Sequence, residues 1–389
     1  MYQPSEKASQ IIEAIGGFIR DEIRPLEQSA DLSWAEPHPR EVLQQVWQRS
    51  CELGFYNIML PEAIGGAGLN VSDLCAVKEA TVLSGSMLAP HILGELSGPP
   101  RIGHLFKVAS PEQVETFLQP VCRAEKAVCF ALTESEAGSD ATAITTSARR
   151  DGDGDDYVLS GSKRFISGAP YADIAVLLAV TGTGGGAQGI SAFFVDLKAP
   201  GVRIESDYAV MSGGGAHGDI FLDDVRVPVA NRIGEEGQGF KLAMGRIMLN
   251  RLLHCPTLLG MAGLALNLSI DYARTRKQFG QPIAMYQSIS HMIADMATEL
   301  HAARSMVYAT AAVNDAGGDI RTQAPMCKLF VSETAFRIAD RAVQIHGGAG
   351  LLRGHPVEWI FRATRMMRIL TGTSEIQRNT IAKGVLMPS

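Results

Sequence analysis

The sequence is poor in the features that mark several large protein classes. Its six cysteines, at positions 51, 75, 122, 129, 255 and 327, form no CxxC pair and show no metal-ligand spacing. That spacing gives neither a disulfide framework nor a zinc-type centre, so no metal is expected, and it suits a reducing cytosol. Cys129 and Cys255 stand in apolar surroundings and are expected to be buried and unreactive. No run approaches the roughly 20 apolar residues of a membrane span, so no membrane association is expected. The opening residues, Met1 to Lys7, lack the basic-then-apolar pattern of a secretory leader. A cytoplasmic location is the resulting expectation. There is no excess of positive charge either. The net charge is −6, which argues against nucleic acid as a partner.

What is present is an ordinary globular composition, 46% apolar and 20% charged, over 389 residues, enough for more than one packed unit. Residues 6–28 predict an amphipathic helix with Ile11, Ile12, Ile15, Phe18 and Ile19 on one face. Residues 38–53 predict a second, and helical patterns resume at 71–84, about 87–106 and 111–123, with Ser110 as N-cap before Pro111. The texture changes after Lys126. Short apolar or β-branched runs at 128–132, 157–160, 174–179, 190–196 and 219–221 lie between Gly, Asp and Ser clusters, which predicts a β-domain. Two Gly-rich loops, Gly182–Gly189 and Gly213–Gly218, precede no helix. The first reads as a hairpin connection and the second as a mobile loop, not as phosphate-cradling fingerprints.

From Gly237 onward the pattern is helical again, over 238–275, about 286–315, 323–346, 356–369 and 375–386, joined by short Gly- or Pro-bearing links. Long helices with short links predict a bundle, and Pro256 predicts a kink or local gap in the first of them. The expected fold is therefore α+β and multi-domain. An N-terminal helical domain (1–125) is followed by a central β-barrel-like domain (126–235) and a C-terminal four-helix-type bundle (236–389). Near the end, Thr371-Gly372-Thr373-Ser374 sits between two helical patterns. Turn and N-cap residues that open a helix turn backbone N–H groups outward, where they can hold a ligand oxygen.

Four stretches carry a resemblance. Phe130-Ala-Leu-Thr-Glu-Ser-Glu-Ala-Gly-Ser-Asp140 resembles the acyl-CoA dehydrogenase signature. Arg276-Lys-Gln-Phe-Gly-Gln-Pro282, Gln344-Ile-His-Gly-Gly-Ala-Gly350 and Gly372-Thr-Ser-Glu-Ile-Gln-Arg378 resemble that family's later signatures, in the same order. The resemblance covers essentially the whole chain. It implies an FAD enzyme, usually a homotetramer, that removes a proton from Cα and a hydride from Cβ of an acyl thioester. It also implies an electron acceptor such as an electron-transfer flavoprotein, and an acyl-CoA or an acyl group on a carrier protein as substrate.

By that resemblance Phe130, Leu132 and Thr133 line the polar edge of the flavin. Gly138 allows close backbone approach, and Ser139 gives a hydroxyl to the pyrophosphate or the substrate. Phe165 and Ser167 stand where the family usually has Trp and Thr, which keeps an aromatic wall and a hydroxyl. The resemblance also implies that FAD is shared between subunits, in a dimer or tetramer. Arg276 then pairs with the pyrophosphate of a neighbour's cofactor, supported by Gln278 and Phe279. Gln344, Gly347 and Gly348 hold the distal part, and Thr373 and Glu375 close over it. The backbone N–H of Thr371, beside Gly372, polarises the thioester carbonyl. Arg251 matches a residue near the CoA site, an ion pair on the bundle being the equal alternative.

One element of the family pattern is missing. Most members place the catalytic Glu at the position of Thr371, and a minority at that of Asn250. Neither a hydroxyl nor an amide has the basicity to take an α-proton near neutral pH. Glu375 is no substitute, because active members carry it as well. Four readings stay open. Another residue is the base: His254, four residues after Asn250, or His91 or Glu95 in the segment where the family builds the far end of its acyl pocket. Or the reaction needs no base at Cα, as in a desulfinase-like lyase or a biosynthetic enzyme acting on a modified acyl group. Or the chain is a silent subunit of a hetero-oligomer, against which the intact FAD motifs count. An altered base position is the fourth, disfavoured because a single change would give Gln or Ala rather than Thr.

Overall fold

The computed structural model describes residues 2–152, 154–182, 186–206, 208–213 and 215–387. Helix α1 (Glu6–Phe18) starts at Ser5, whose Oγ accepts the Ala8 N–H at 3.2 Å. It runs on through a π-turn, Ile19–Ile23, into α2 (Arg24–Ser29). Helix α3 (Arg40–Glu52) buries Leu43, Val46 and Trp47. Helix α4 (Val71–Leu83) is capped by Asn70, and the Asp315 carboxylate accepts the Val71 and Ser72 N–H groups at 2.7 and 3.0 Å. A negative group there offsets the unpaired donors and positive dipole of the helix start.

The helix expected over 87–106 is not continuous. A short α5 (Ala89–Ile92) is followed by 3-10 turns at Pro99–Arg101 and Gly103–Lys107. Gly94 takes φ +63° and Pro99 and Pro100 remove two N–H donors, so apolar spacing alone could not carry a helix through. The capping box at Ser110 opens α6 (Pro111–Gln113), which leads through a π-turn to α7 (Gln119–Cys122).

The strands are β1 (Val128–Ala131), β2 (Ser147–Arg150), β3 (Asp156–Ser167), β4 (Ile174–Val180), β5 (Ile190–Asp196), β6 (Val202–Glu205), β7 (His217–Pro228) and β8 (Arg232–Ile233). They form one mixed sheet in the order β6-β7-β3-β2-β4-β5-β8, with β1 parallel to β4. Strands β2 and β6 were not legible in the sequence, because each is a four-residue run that is largely exposed or only partly buried. The first Gly-rich loop joins antiparallel β4 and β5, as expected of a hairpin, although its residues 183–185 lie outside the described residues. In the second loop, residue 214 lies outside them too, and His217 and Gly218 belong to β7.

Helix α8 (Gly239–Leu253) stops at His254 and α9 (Cys255–Thr275) begins with Pro256 in its first turn, which is the interruption that proline predicts. By length and composition the stretch Gly239–Thr275 could cross a membrane, but 72% of its apolar 18-residue window is buried by the protein itself. Strands β9 (Lys277–Gln278) and β10 (Gln281–Pro282) form a tight hairpin. Helices α10 (Gln287–Asp315), α11 (Gln323–His346), α12 (Pro356–Met367) and α13 (Ser374–Leu386) complete the chain.

By its backbone contacts the chain divides into two compact units. The first holds Met1–Glu36, Leu69–Ala89 and Ile247–Ser389, and the second Pro37–Gly68 and Pro90–Arg246. The N-terminal segment, residues 1–125, thus contributes to both. In the second unit both faces of the sheet are covered. Tyr157, Leu159, Leu177, Phe193, Val195, Ile220 and Val225 fill one side. Ile174, Val176, Phe194 and Ile233 pack on the other with Ile102, Leu105, Leu118 and Val121. A strand buried on both faces favours apolar residues at every position, which is why β4 reads as an unbroken apolar run and β5 as one interrupted only by the hydrogen-bonded Ser191 before Asp196.

Candidate functional site

The turn Thr371–Thr373 belongs to the first unit. Thr371 takes φ +57°, a left-handed conformation that a β-branched residue adopts only when its surroundings impose it. Gly372 takes φ +92°, and a Cβ there would lie 2.8 Å from Gln377 Nε2, so this position requires glycine. The carbonyls are tied down. Gln377 Nε2 donates to the Thr371 and Gly372 oxygens at 3.1 and 2.9 Å, and Lys328 Nζ donates to Gly372 O at 2.8 Å. Thr373 is the N-cap of α13, its Oγ1 accepting the Ile376 N–H at 3.3 Å. With these carbonyls fixed, the Thr371 and Gly372 N–H groups have no hydrogen-bond partner among the described residues.

Lys328 was not singled out by the sequence. It is fully buried, and burial pushes its pKa down to about 8, the Arg251 guanidinium adding to the shift while Cys255 and Glu333 oppose it. Asn250 is half-buried near the end of α8. Arg251 is 8% exposed, its Nε makes no hydrogen bond, and burial lowers its pKa. His254 stands at the break between α8 and α9, its N–H donating to the Asn250 carbonyl at 3.0 Å. It therefore follows Asn250 by one turn, but at a helix end rather than on an unbroken face. Cys255 is fully buried and burial raises its thiol pKa, which matches the expectation of an unreactive thiol.

The remaining expected residues of this unit lie at its surface. Arg276 caps the end of α9 and is exposed, as are Gln278 and Phe279 in the β9–β10 hairpin. Phe279 takes φ +49° and is 94% exposed. Gln344 is on the exposed side of α11, Gly347 is its C-cap, and Gly348 is exposed beside it. Glu375 is exposed in the first turn of α13. Its own backbone N–H and the Thr373 hydroxyl hold its carboxyl below the ordinary value.

In the second unit, Phe130 and Leu132 lie at the end of β1, and the Thr133 carbonyl accepts the Arg164 N–H at 2.8 Å. Glu134, buried within the same signature, accepts from the Thr145 and Thr146 backbones at 2.7 and 3.0 Å and pairs with fully buried Lys163 at 2.7 Å. Neither Glu134 nor Lys163 stood out in the sequence. Gly138 and Ser139 are exposed, and a Cβ at Gly138 would meet nothing within 4 Å, so that side is open. Phe165 sits where β3 slips register against β7, at φ +57°, its N–H held by the Asp219 carboxylate at 3.0 Å. This bulge leaves the ring 52% exposed. Ser167, half-buried, pairs with His217 across the same ladder.

His91 has a structural occupation. It is buried, its Nδ1 accepts from Trp47 Nε1 at 3.3 Å, and burial with His38 nearby drives its pKa down to about 3. A neutral imidazole of such low basicity is unsuited to taking a proton at physiological pH. Glu95 is half-buried and acts electrostatically on buried Arg101.

Family models match the chain along nearly its whole length: the N-terminal domain of acyl-CoA dehydrogenase over residues 5–125, the middle domain over 129–225 and the C-terminal domain over 237–386. The chain belongs to the acyl-CoA dehydrogenase family. It is 39% identical over 351 residues to the caffeyl-CoA reductase–Etf complex subunit CarC of Acetobacterium woodii, covering 89% of this chain and 90% of the relative. The structure of butyryl-CoA dehydrogenase from Megasphaera elsdenii superposes with a TM-score of 0.87 at 28% identity, over 99% of this chain and all of the other. That of PigA with FAD and proline gives 0.88 at 26% identity over the full length of both chains.

The residues present fit the family's cofactor. An exposed aromatic ring is turned out on a bulge at Phe165, and the signature beyond β1 is open at Gly138 and Ser139. In the first unit an exposed Arg276 stands just before the hairpin that carries the exposed Phe279, and Gly347 and Gly348 form a surface glycine pair. Aromatic and cationic groups of this kind, left to solvent, match the flat ring and pyrophosphate of FAD.

Proposed function

We infer that the protein is an FAD-dependent oxidoreductase that interconverts the Cα–Cβ single and double bond of an acyl-CoA thioester. The observation that carries this reading is the turn at Thr371. Lys328 and Gln377 hold its carbonyls inward, and its N–H groups are left without partners. Donors fixed in advance, at no cost in reorganisation, are what a thioester oxygen needs as negative charge grows on it. They acidify the α-proton by stabilising enolate character.

FAD, when bound, supplies the two-electron exchange at Cβ. By the family resemblance, the residues that would hold it are Phe130, Leu132, Thr133, Gly138, Ser139, Phe165, Ser167, Gln344, Gly347, Gly348, Thr373 and Glu375, with Arg276, Gln278 and Phe279 serving the cofactor of another copy in a homodimer or homotetramer. Arg251 and Gly372 complete the thioester end. An electron-transfer flavoprotein is the partner we propose for electron exchange, as the name of the CarC relative says of its own complex. CoA, rather than a carrier protein, is the handle that the relatives' names favour.

Proton handling at Cα needs a group other than the side chains at positions 371 and 250. Thr371 and Asn250 offer no carboxylate, and Lys328 has its ammonium committed to the Gly372 carbonyl. Of the side chains proposed for the task, His91 is too weakly basic, which leaves Glu95 and His254, the latter one turn beyond Asn250.

The test is anaerobic titration of the FAD-loaded protein with a panel of saturated acyl-CoA thioesters, following flavin absorbance. The expected outcome is slow bleaching by at least one of them. In Thr371→Glu it accelerates by about 10²–10⁴-fold, the usual contribution of a positioned general base. Conversion of a thioester with the flavin still oxidised would overturn the oxidoreductase reading in favour of a lyase.

A further inference from the structure

Two arginines of the second unit are buried without adequate compensation. Arg101 follows Pro99 and Pro100 in the 3-10 turn that replaced the expected helix. Arg246, on α8, has its guanidinium carbon 4.6 Å from the centroid of the Phe130 ring. The Nε atoms of both are enclosed and make no hydrogen bond, and the same holds for Nε2 of His104 and Nδ1 of His217. Yet Arg101, His104 and Arg246 are only half-buried as whole residues, so part of each side chain still meets open space.

The charges do not balance. Burial lowers the pKa of both arginines, Arg246 to about 9, and Arg101 pushes Arg246 further in the same direction. Glu95 is the one carboxylate acting on Arg101, and none acts on Arg246. Burial, with a neighbouring guanidinium, holds His104 and His217 at about 4, so they are neutral and add donors rather than charge. A buried cation without a partner is costly, and a chain that keeps one has a use for it.

We propose that Arg101 and Arg246 form an anion-binding site for the carboxylate at the far end of a substrate's acyl group. The Nε donors of both guanidiniums are enclosed and unpaired, which suits a compact planar anion such as a carboxylate. The Arg246 guanidinium lies over the Phe130 ring, so the cation has an apolar neighbour. An acyl chain ending in a carboxylate has that same division of character. Planar guanidiniums bind carboxylates with two parallel hydrogen bonds, and the free Nε edges are the donors such a pairing uses. The inference rests on the acyl-CoA reading above and names the substrate class within it.

The test is calorimetric titration of the FAD-loaded protein with adipoyl-CoA and, for comparison, hexanoyl-CoA, which has the same chain without the carboxylate. Adipoyl-CoA is expected to bind at least about tenfold more tightly, equivalent to about 1.4 kcal/mol. In Arg246→Met and, separately, Arg101→Met the preference disappears, while the FAD content read from flavin absorbance stays that of the parent protein. Equal binding of the two thioesters by the parent protein overturns this inference and leaves the acyl-CoA reading standing. Loss of FAD, or weaker binding of CoA alone, in Arg246→Met also overturns it, since the anion is then a phosphate. If neither thioester binds, the acyl-CoA reading itself fails.

Discussion

A lysine and a glutamate packed behind the signature stretch decide how firmly that stretch is held. Burial alone would raise the pKa of Glu134. Lys163 and the Thr145 and Thr146 donors outweigh it and hold the carboxyl at about 2. Burial also lowers Lys163, to about 8, with Glu134 opposing the shift. The direction that matters is that of the carboxylate, because it also collects hydrogen bonds from two backbone N–H groups at the start of β2. Its folded-state pKa lies below the ordinary 4.5. The stability it contributes is therefore complete above about pH 4.5 and is lost as the pH falls from there through about 2. Glu134→Gln strands the Lys163 ammonium, and breaking such a buried pair costs about 3–5 kcal/mol. Urea unfolding at neutral pH should show that loss. Between about pH 4.5 and 2 the parent protein should lose stability more steeply than the variant. Equal stability of the two at neutral pH would mean that the pair holds nothing in place.

At the scale of elements, the bulge in β3 is the feature with a consequence for the cofactor. Asp219 on β7 accepts the Phe165 N–H at 3.0 Å and the Tyr208 hydroxyl at 2.7 Å, and Arg164 lies 3.4 Å from its other oxygen. This one carboxylate fixes both the left-handed backbone and the outward ring. Asp219→Ala should cost about 1–3 kcal/mol, the price of leaving such donors unmet, and should weaken FAD binding measured by fluorescence titration. Phe165→Leu should weaken FAD binding without lowering the thermal midpoint, because the ring is exposed. If both variants bind FAD as the parent does, the bulge is not a wall of the cofactor site. The bulge illustrates what sequence can show at this scale. The apolar cores of β4 and β5 were legible because both faces of these strands are buried. The register slip at Phe165 was not, since it depends on a partner 54 residues away. The same holds for residues 87–106, where apolar spacing suggested a helix and backbone chemistry at Gly94, Pro99 and Pro100 overruled it.

For the molecule as a whole, the order helical, β, helical was readable from changes of hydrophobic period, and four motifs in register pointed to the family. Compact units that draw on distant segments were not readable, because periodicity says nothing about which helices pack together. Nor were the decisive buried charges. Lys163, Lys328, Arg101 and Arg246 look like surface residues in a sequence, and only packing shows that water has left the two lysines and the Nε atoms of the two arginines. The converse case is an apolar residue left in water. Phe279 projects from the β9–β10 hairpin 94% exposed, and Met285, Leu351 and Leu352 of the same unit are 68, 70 and 64% exposed. Phe279 also holds a left-handed φ of +49°, so the hairpin presents the ring at a cost of roughly 1–2 kcal/mol in backbone energy. A single protomer gains nothing in return. Covered by another copy and its FAD, the ring would contribute about 1.5–3 kcal/mol per site. Light scattering across a dilution series should accordingly find the FAD-loaded protein as a dimer or tetramer. Phe279→Ser should shift dissociation to higher protein concentration and lower the FAD content in parallel, because one contact serves both. A parent protein that stays monomeric with a full complement of FAD would show that the hairpin faces solvent in the working enzyme, and the shared-cofactor arrangement would be lost with it.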